Sequence, residues 1–411
     1  MRPDLLDLLS CPYCGGRLVL VESSFYRRDG DDIADGILAC HCCVFPVVAG
    51  IPVMHLEPAA VAAREQIEAG QPEQARRTMF AFANAEAAER FDAAAGSPAA
   101  TYRDLVAALG PDFEGGYFLY RFSDPTFVVA DAVVRSVGSV VLGGGGRAID
   151  VCGGSGHLTR SLAAASTTTP VLADLYFSKL WLATRFTSPG CHVVCCDGNA
   201  PLPFAKDLFA LVVCSDAFHY IWTKRLLASE MMRIATGDGA VAVTHAHNAT
   251  QWNPSAGMPL PADAYRDLFA DMGARVFSEL ALLDDVAGRN VVDLGRVDSR
   301  ETLDADPALT IVASPRAGVF ARRDLPGQAA RRGELRINPL YRIDRDGGVR
   351  LTLEFPSRDY EEEYGAVRRY LPDTAELDPA DAAALERGEL TGGAIELARR
   401  RVILDLPKRY V

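Results

Sequence analysis

The stretch Arg147-Ala-Ile-Asp-Val-Cys-Gly-Gly-Ser-Gly156 is a short apolar run that ends in a glycine-rich loop. The apolar residues predict a buried strand, and residues 158–165 predict the helix that follows it. Glycines between a strand and a helix let the backbone turn tightly and approach a ligand closely. The stretch therefore predicts an α/β fold with a ligand site at residues 150–156.

Strands and helices alternate on both sides of this loop. Residues 178–186 and 222–235 predict helices, and four further short apolar runs predict strands at 170–174, 192–197, 209–216 and 239–245. This alternation predicts a mostly parallel sheet that is covered on both faces. Residues 308–323 predict two more short strands, which would close the sheet as an antiparallel pair.

Carboxylates follow three successive predicted strands. Asp150 opens the glycine loop, Asp174 ends the second strand, and Asp197 ends the third. Open α/β sheets bind ligands at the carboxyl ends of their strands, where Asp174 is placed to accept hydrogen bonds from ribose hydroxyls. A glycine loop with one acid also fits NAD, so these residues alone leave the cofactor open.

The wider pattern includes Ala173-Asp174-Leu, Cys196-Asp197-Gly-Asn-Ala-Pro-Leu-Pro-Phe and Phe209-Ala-Leu-Val-Val. Over about residues 117–250 it resembles class I S-adenosylmethionine-dependent methyltransferases of the small-molecule and ubiquinone-biosynthesis type. The resemblance implies a seven-stranded Rossmann-like sheet. It also implies a cofactor site made of Asp150, Gly154, Gly156, Asp174, Asp197, Gly198 and Asn199.

Each residue of that set has a role implied by the resemblance. Gly154 and Gly156 would pack on the methionine part of S-adenosylmethionine, and Asp174 would bind its ribose. Asp197 would face the adenine amino group with help from Gly198 and Asn199, while Asp150 would orient the loop and the amino end of the cofactor. The sequence departs from the family at Cys152, where the first loop glycine is expected, and at Ala210, where an acid is expected.

An aromatic segment, Tyr117-Phe-Leu-Tyr-Arg-Phe-Ser-Asp-Pro125, precedes the sheet. We expect Tyr120 and Arg121 to cap the cofactor, with Arg121 on its carboxylate. Aromatic packing of a helix is the alternative.

Methyl transfer from a sulfonium depends mainly on alignment and desolvation, sometimes with a base that removes the proton of the nucleophile. Six residues follow the fourth and fifth strands and could take part in catalysis: Ser215, Asp216, His219, Tyr220, His245 and His247. Asp216, His219 and His245 are the candidate catalytic residues that we favour, because histidine titrates near neutral pH. A structural or surface role is the alternative for each histidine. The Asn/Asp-Pro-Pro-Tyr signature of amine methylation on bases and glutamines is absent, and Ser215-Asp-Ala-Phe stands in its place.

Two Cys-x-x-Cys pairs near the N-terminus, Cys11/Cys14 and Cys40/Cys43, have the spacing of a four-thiolate metal site. Such a closed site predicts structural zinc, with His41 and Cys42 as competing ligands. Residues 4–56, including Gly-Ile-Pro-Val at 50–53, resemble the Trm-type zinc-ribbon activators of methyltransferases. The resemblance implies an activator fused in cis to its enzyme. The other six cysteines are expected to be reduced and mostly buried: Cys42, Cys152, Cys191, Cys195, Cys196 and Cys214.

Length and charge set further bounds. The 411 residues predict several units: a zinc ribbon at 1–56, a helical linker or lid at 57–124, the methyltransferase domain at 125–324 and an accessory α+β region at 325–411. The net charge of −12 disfavours nucleic acid as a partner. The chain has no apolar run long enough for a membrane span and no signal-peptide pattern, so we expect a cytoplasmic protein.

These observations favour methyl transfer to a small-molecule metabolite. RNA or protein methylation with a cis-fused activator is one alternative, because the relatives of the ribbon serve such enzymes. A non-catalytic cofactor-binding scaffold is another, and other chemistry with the sulfonium cofactor is a third. The oligomeric state stays open.

Overall fold

The computed structural model describes residues 1–110, 115–253, 257–325, 333–345 and 349–411. The N-terminal part is a small β-sheet, and its strands are β1 (Val19–Leu20), β2 (Arg27–Asp29), β3 (Asp32–Ala39), β4 (Val44–Val48) and β5 (Ile51–Pro52). Helices follow: α1 (Pro58–Glu68), α2 (Pro72–Phe80), α3 (Ala85–Ala95), α4 (Tyr102–Leu109), α5 (Gly115–Phe118) and α6 (Pro125–Val141).

The central part of the chain alternates strands and helices. Its strands are β6 (Ala148–Val151), β7 (Val171–Asp174), β8 (His192–Cys195), β9 (Phe209–Ser215), β10 (Ala235–His247), β11 (Arg275–Ser278), β12 (Val291–Asp293), β13 (Ala308–Ala313) and β14 (Arg322–Asp324). Its helices are α7 (His157–Ala165), α8 (Phe177–Leu182), α9 (Lys224–Ile234), α10 (Ala262–Leu268), α11 (Glu279–Arg289) and α12 (Arg300–Ala305).

Seven of these strands form one sheet in the order β8-β7-β6-β9-β10-β13-β11. Neighbours from β8 to β10 are parallel, whereas β13 runs antiparallel to both β10 and β11. The strand order reverses direction at β6, which is where open α/β sheets bind ligands. The predicted seven-stranded Rossmann-like sheet is confirmed.

The prediction for residues 308–323 is wrong in one respect. The first half forms β13 inside the large sheet, but β14 pairs with β12 in a separate two-stranded sheet. The strand that pairs with β13 at the edge of the large sheet is β11, and its four residues are too few to give a strong strand signal.

The C-terminal part is the expected mixture of strands and helices. It contains β15 (Glu334–Ile337), β16 (Tyr341–Asp344), β17 (Val349–Leu353), β18 (Thr374–Leu377), β19 (Ile403–Leu406), α13 (Arg358–Tyr364), α14 (Pro379–Glu386) and α15 (Ala394–Arg399). No helix among the described residues is long and apolar enough to cross a membrane.

The N-terminal sheet packs on the edge of the large sheet at β8. Val53 forms a parallel bridge with Cys195, whose carbonyl accepts a 2.7 Å hydrogen bond from the Met54 N–H. The buried Leu9 and Phe204 belong to one hydrophobic core that spans both sheets. This contact covers an edge strand that would otherwise expose unpaired backbone groups.

The C-terminal part packs on the segment before α6. The Tyr370 hydroxyl donates to the Ser123 carbonyl at 2.7 Å, and Arg401 Nη2 donates to the Phe122 carbonyl at 2.8 Å. Tyr410, the penultimate residue, is buried and stacks on Tyr102 with ring centroids 4.8 Å apart. The end of the chain is therefore part of the core.

We predict that Tyr410→Ala lowers the free energy of unfolding by about 3–5 kcal/mol, because it leaves a cavity beside Tyr102. Tyr410 also donates a 2.5 Å hydrogen bond to the Phe118 carbonyl and bonds to His157 Nε2 at 2.8 Å. Tyr410→Phe keeps the stacked ring and should cost about 1–2 kcal/mol. Urea unfolding followed by circular dichroism measures both, with exposed Lys408→Ala as the control. Wild-type stability in Tyr410→Ala would show that the C-terminus is not anchored.

Candidate active site

The glycine loop lies between β6 and α7, as expected. Gly154 and Gly156 adopt left-handed backbone angles, with φ of 55° and 74°. The Asp174 carboxylate accepts hydrogen bonds from the Gly154 N–H and the Tyr176 N–H, both at 2.8 Å. A Cβ at Gly156 would lie only 3.1 Å from Leu172 Cδ2, so a larger residue would crowd the strand beside the loop. Asp174 thus ties the loop to the end of the neighbouring strand.

Cys152 takes a conformation that glycine normally supplies. Its φ is 57°, in the left-handed region, which costs a non-glycine residue about 1–2 kcal/mol. Its Sγ packs so closely on Gly198 that a Cβ there would lie 2.9 Å away. The cysteine therefore keeps the loop shape, and Gly198 makes room for its side chain.

Asp150 lies under the loop and is fully buried. It accepts a 2.7 Å hydrogen bond from the Thr159 hydroxyl, and burial raises the pKa of its carboxyl to about 7 despite that bond. In this position it can support the loop, but it is not open to the amino group of a cofactor.

Asp197 and Asn199 form a second turn at the same sheet edge. Asp197 Oδ1 accepts from the Asn199 N–H at 2.8 Å and from its side-chain amide at 3.1 Å. Asn199 Oδ1 in turn accepts from the Trp222 N–H at 2.7 Å. This turn places Asp197 and Gly198 beside the loop that holds Cys152.

The aromatic segment covers the glycine loop. Phe118 packs on Gly154, where a Cβ would lie 3.4 Å from the ring, and Tyr120 packs on Tyr360 with ring centroids 5.5 Å apart. Arg121, which we expected on the cofactor carboxylate, places its Nη1 2.8 Å from Asp216 Oδ2. The segment is thus a cover, and Arg121 ties it to the end of β9.

The three candidate catalytic residues lie together, with a fourth residue beside them. Asp216 follows β9, His219 lies on the 3₁₀ turn after it, and His245 and His247 end β10. The rings of His219 and His247 stack with centroids 3.5 Å apart. His245 Nδ1 contacts Glu279 Oε1 at 2.6 Å, and its Nε2 lies 3.9 Å from Asp216 Oδ1.

Backbone strain marks the same place. Asp216 and His245 both have left-handed φ values, of 53° and 52°. The pairing of β10 with β13 is also irregular between Val243 and Ala246. Left-handed non-glycine residues cost about 1–3 kcal/mol each and concentrate at functional sites.

The charges in this cluster are strongly perturbed. Burial raises the pKa of the Asp216 carboxyl, but Arg121 and the nearby histidines bring it down to about 2. Burial lowers the pKa of His245, but Glu279 and Asp216 raise it to about 9. Burial lowers the pKa of His219 to about 4. The site therefore combines a carboxylate, an imidazolium and a neutral imidazole at neutral pH.

One member of the cluster lay outside the residues considered from the sequence, which already included His247 beside His245. Glu279 starts α11, 34 positions after His245, and no local motif connects the two. Only the fold brings Glu279 to the end of β10.

Four cysteines of the N-terminal sheet lie together, but the fourth is not the predicted one. One Sγ each from Cys11, Cys14, Cys40 and Cys42 lies within 4.8 Å of the others. The pairs Cys11/Cys42, Cys14/Cys40 and Cys40/Cys42 are 3.8, 3.7 and 3.6 Å apart, close to the roughly 3.8 Å edge of a tetrahedral zinc–thiolate site. The donors thus fit zinc.

Cys43 lies just outside this group, with its Sγ 3.3 Å from that of Cys42. The expectation that Cys42 is a buried hydrophobic residue is wrong, because it is exposed. The turn after β3 brings residue 42 to the other three thiols, which the Cys-x-x-Cys spacing did not indicate.

Two cavities lie near the sheet. One of about 410 Å³ is lined by Trp222, Thr223, Lys224, Arg225, Leu226, Met258, Pro259 and Leu260. Its wall is hydrogen-bonded to the histidine cluster, since Lys224 Nζ and the Met258 N–H both donate to the His219 carbonyl, at 3.1 and 2.9 Å. A larger cavity of about 730 Å³ includes Arg160, Pro170 and Lys408 and lies at the amino ends of the strands, away from this chemistry.

The family model described as a methyltransferase domain matches residues 148–239, which contain the glycine loop, Asp174, Asp197 and Asp216. Residues 148–239 are a methyltransferase domain. The match confirms the predicted methyltransferase class for these residues. No curated protein matches the chain.

Several solved structures are similar to part of the chain. One is a complex between the Haloferax volcanii Trm112 methyltransferase activator and a methyltransferase (17% identity, TM-score 0.34, 45% of this chain and 88% of that one). A second is an S-adenosylmethionine-dependent methyltransferase from Aquifex aeolicus (13% identity, TM-score 0.34, 48% of this chain and 97% of that one). A third is an S-adenosylmethionine-dependent methyltransferase from Mesorhizobium loti (16% identity, TM-score 0.33, 45% of this chain and 94% of that one).

We predict that Cys42→Ser loses most of its bound zinc, whereas Cys43→Ser keeps about one zinc per chain. Three thiolates hold zinc more weakly than the closed set of four. Metal analysis by mass spectrometry of the two purified variants makes the comparison, and each serves as the control for the other. If Cys43→Ser loses its zinc and Cys42→Ser keeps it, the fourth ligand is Cys43, as the Cys-x-x-Cys spacing predicts.

Proposed function

We propose that the chain transfers the methyl group of S-adenosylmethionine to a small-molecule acceptor. The observation that carries the proposal is the glycine loop of the methyltransferase domain, held by Asp174 at the point where the strand order reverses. When bound, the cofactor supplies an electrophilic methyl group on its sulfonium.

The cofactor would lie along the carboxyl ends of β6, β7 and β8. Each Asp174 oxygen accepts one backbone N–H, and since a carboxylate oxygen can accept more than one hydrogen bond, Asp174 would also receive a ribose hydroxyl. Asp197, with Gly198 and Asn199, would receive the adenine. Phe118 contacts Gly154 where the methionine part would pack, so residues 117–123 would act as a lid that moves when the cofactor binds.

The acceptor would enter through the 410 Å³ cavity. This volume is in the range of small-molecule sites and too small for a folded partner. The side chains of Trp222 and Met258 are exposed at its wall, which suits an acceptor with an apolar or aromatic body. The net charge of −12 supports the same choice over RNA.

His219 is the residue we place beside the nucleophile. Its carbonyl is bonded to the cavity wall, and neither ring nitrogen has a hydrogen-bond partner among the described residues. Such a ring can accept the proton of an acceptor hydroxyl or amine. Asp216 and His245 would position it and set the field around the sulfonium.

The N-terminal sheet would act as an activator in cis. A zinc ion on Cys11, Cys14, Cys40 and Cys42 would hold its turns together, and the bridge from Val53 to Cys195 would stabilise the edge strand next to the adenine site. The role proposed for zinc is therefore structural.

We predict that Asp174→Asn weakens S-adenosylmethionine binding about 10- to 100-fold in calorimetry. The substitution keeps the shape of the side chain but replaces charged hydrogen bonds to the ribose, which contribute about 1.5–3 kcal/mol. The exposed Asp263→Asn is the matched control and should bind like the wild type. Equal binding by Asp174→Asn, at unchanged thermal stability, would contradict the proposed cofactor position.

A further inference from the structure

The ends of β9 and β10 bring three potential metal ligands together. One ligand atom each from Asp216, His245 and His247 lies within 4.8 Å of the others. Metal–nitrogen bonds of about 2.1 Å place neighbouring ligand atoms about 3 to 3.5 Å apart. The three side chains therefore need to move inward by only about 1 Å to close around an ion. They are carried by two paired strands at the centre of the sheet, which favours a preformed site.

His245 is oriented as a metal-binding histidine usually is. Its Nδ1 is hydrogen-bonded to Glu279 Oε1 at 2.6 Å, and its backbone N–H donates to Glu279 Oε2 at 2.8 Å. Glu279 is fixed in turn by the Thr310 hydroxyl at 3.2 Å. This leaves His245 Nε2 directed to Asp216. A carboxylate on the far nitrogen is the common way in which proteins fix the ring of a ligating histidine.

His247 has a buried ring nitrogen that no hydrogen bond among the described residues satisfies. Its side chain is almost completely buried, yet Nε2 has no hydrogen-bond partner among the described residues. Its ring is held in place by stacking on His219, with an angle of 9° between the planes. A buried polar atom without a partner calls for an explanation, and a bound ion supplies one.

The cluster can exchange a proton for a metal cation. Asp216 and Glu279 bring two carboxylates, which Arg121 and protonated His245 face. A metal ion on His245 Nε2 would take the place of the proton on that nitrogen. Arg121 occupies Asp216 Oδ2, which leaves Oδ1 facing His245.

We propose that Asp216, His245 and His247 bind a divalent transition-metal ion, such as Mn²⁺, Fe²⁺, Co²⁺ or Zn²⁺. Two histidines and one carboxylate on one side of an ion leave coordination positions open. Those positions would hold an oxygen or nitrogen atom of the acceptor. This inference rests on the proposed function, which places the acceptor beside this cluster.

The test compares the metal content of full-length proteins. The wild type and the double variant Asp216→Asn/His247→Ala are incubated without oxygen with an equimolar mixture of the four chlorides, desalted and analysed by mass spectrometry. We expect the wild type to retain about one more metal ion per chain than the double variant. Metal bound by the cysteine site is the same in both and cancels in the difference.

Further variants separate ligand binding from folding. Glu279→Gln should weaken binding of the retained metal about 10-fold, as loss of a carboxylate behind a ligating histidine does. His192→Gln, a buried histidine at the start of β8, should keep the wild-type content. S-adenosylmethionine binding by the wild type is measured separately, and a far-UV circular dichroism spectrum like that of the wild type shows that the double variant is folded. Equal metal content in the wild type and the double variant would overturn the metal site. Absence of S-adenosylmethionine binding by the wild type would instead overturn the proposed function.

Discussion

The hydrogen bond from the Gly154 N–H to the Asp174 carboxylate links the two strands around which the rest of the site is built. It holds a loop with left-handed residues at 152, 154 and 156 against the end of β7, where the parallel strands finish. The strained Cys152 is tolerated because Gly198, on the next strand end, gives its sulfur room. One carboxylate thus fixes the loop shape on which the proposed cofactor site depends.

Two additional layers enclose this centre. The N-terminal sheet continues the large sheet beyond β8, and the C-terminal part packs on the segment 117–123 that covers the loop. Tyr364 of α13 lies 6.4 Å from the His245 ring and under the guanidinium of Arg121. The C-terminal part therefore contacts the cluster of charged residues at the ends of β9 and β10 through Tyr364.

Much of the fold could be predicted because its signals are local. Short apolar runs that end in glycine or aspartate indicated β6 to β10, and the acids at 174 and 197 lie at the sheet edge as expected. Contacts between distant parts of the chain could not be predicted. Glu279 reaches His245 only through the fold, and Arg121 lies against Asp216 at the end of a distant strand. The turn after β3 brings the Cys42 thiol within 4.8 Å of the thiols of Cys11, Cys14 and Cys40.

The position of the cofactor is the central claim, and a crystal structure with S-adenosylhomocysteine tests it most directly. The account predicts the ribose hydroxyls on Asp174, the adenine beside Asp197 and Gly198, and the sulfur directed to the cluster of Asp216, His219, His245 and His247. Phe118 should have moved away from Gly154. The ligand bound in the 730 Å³ cavity at the opposite sheet edge, with Asp174 uncontacted, would contradict it.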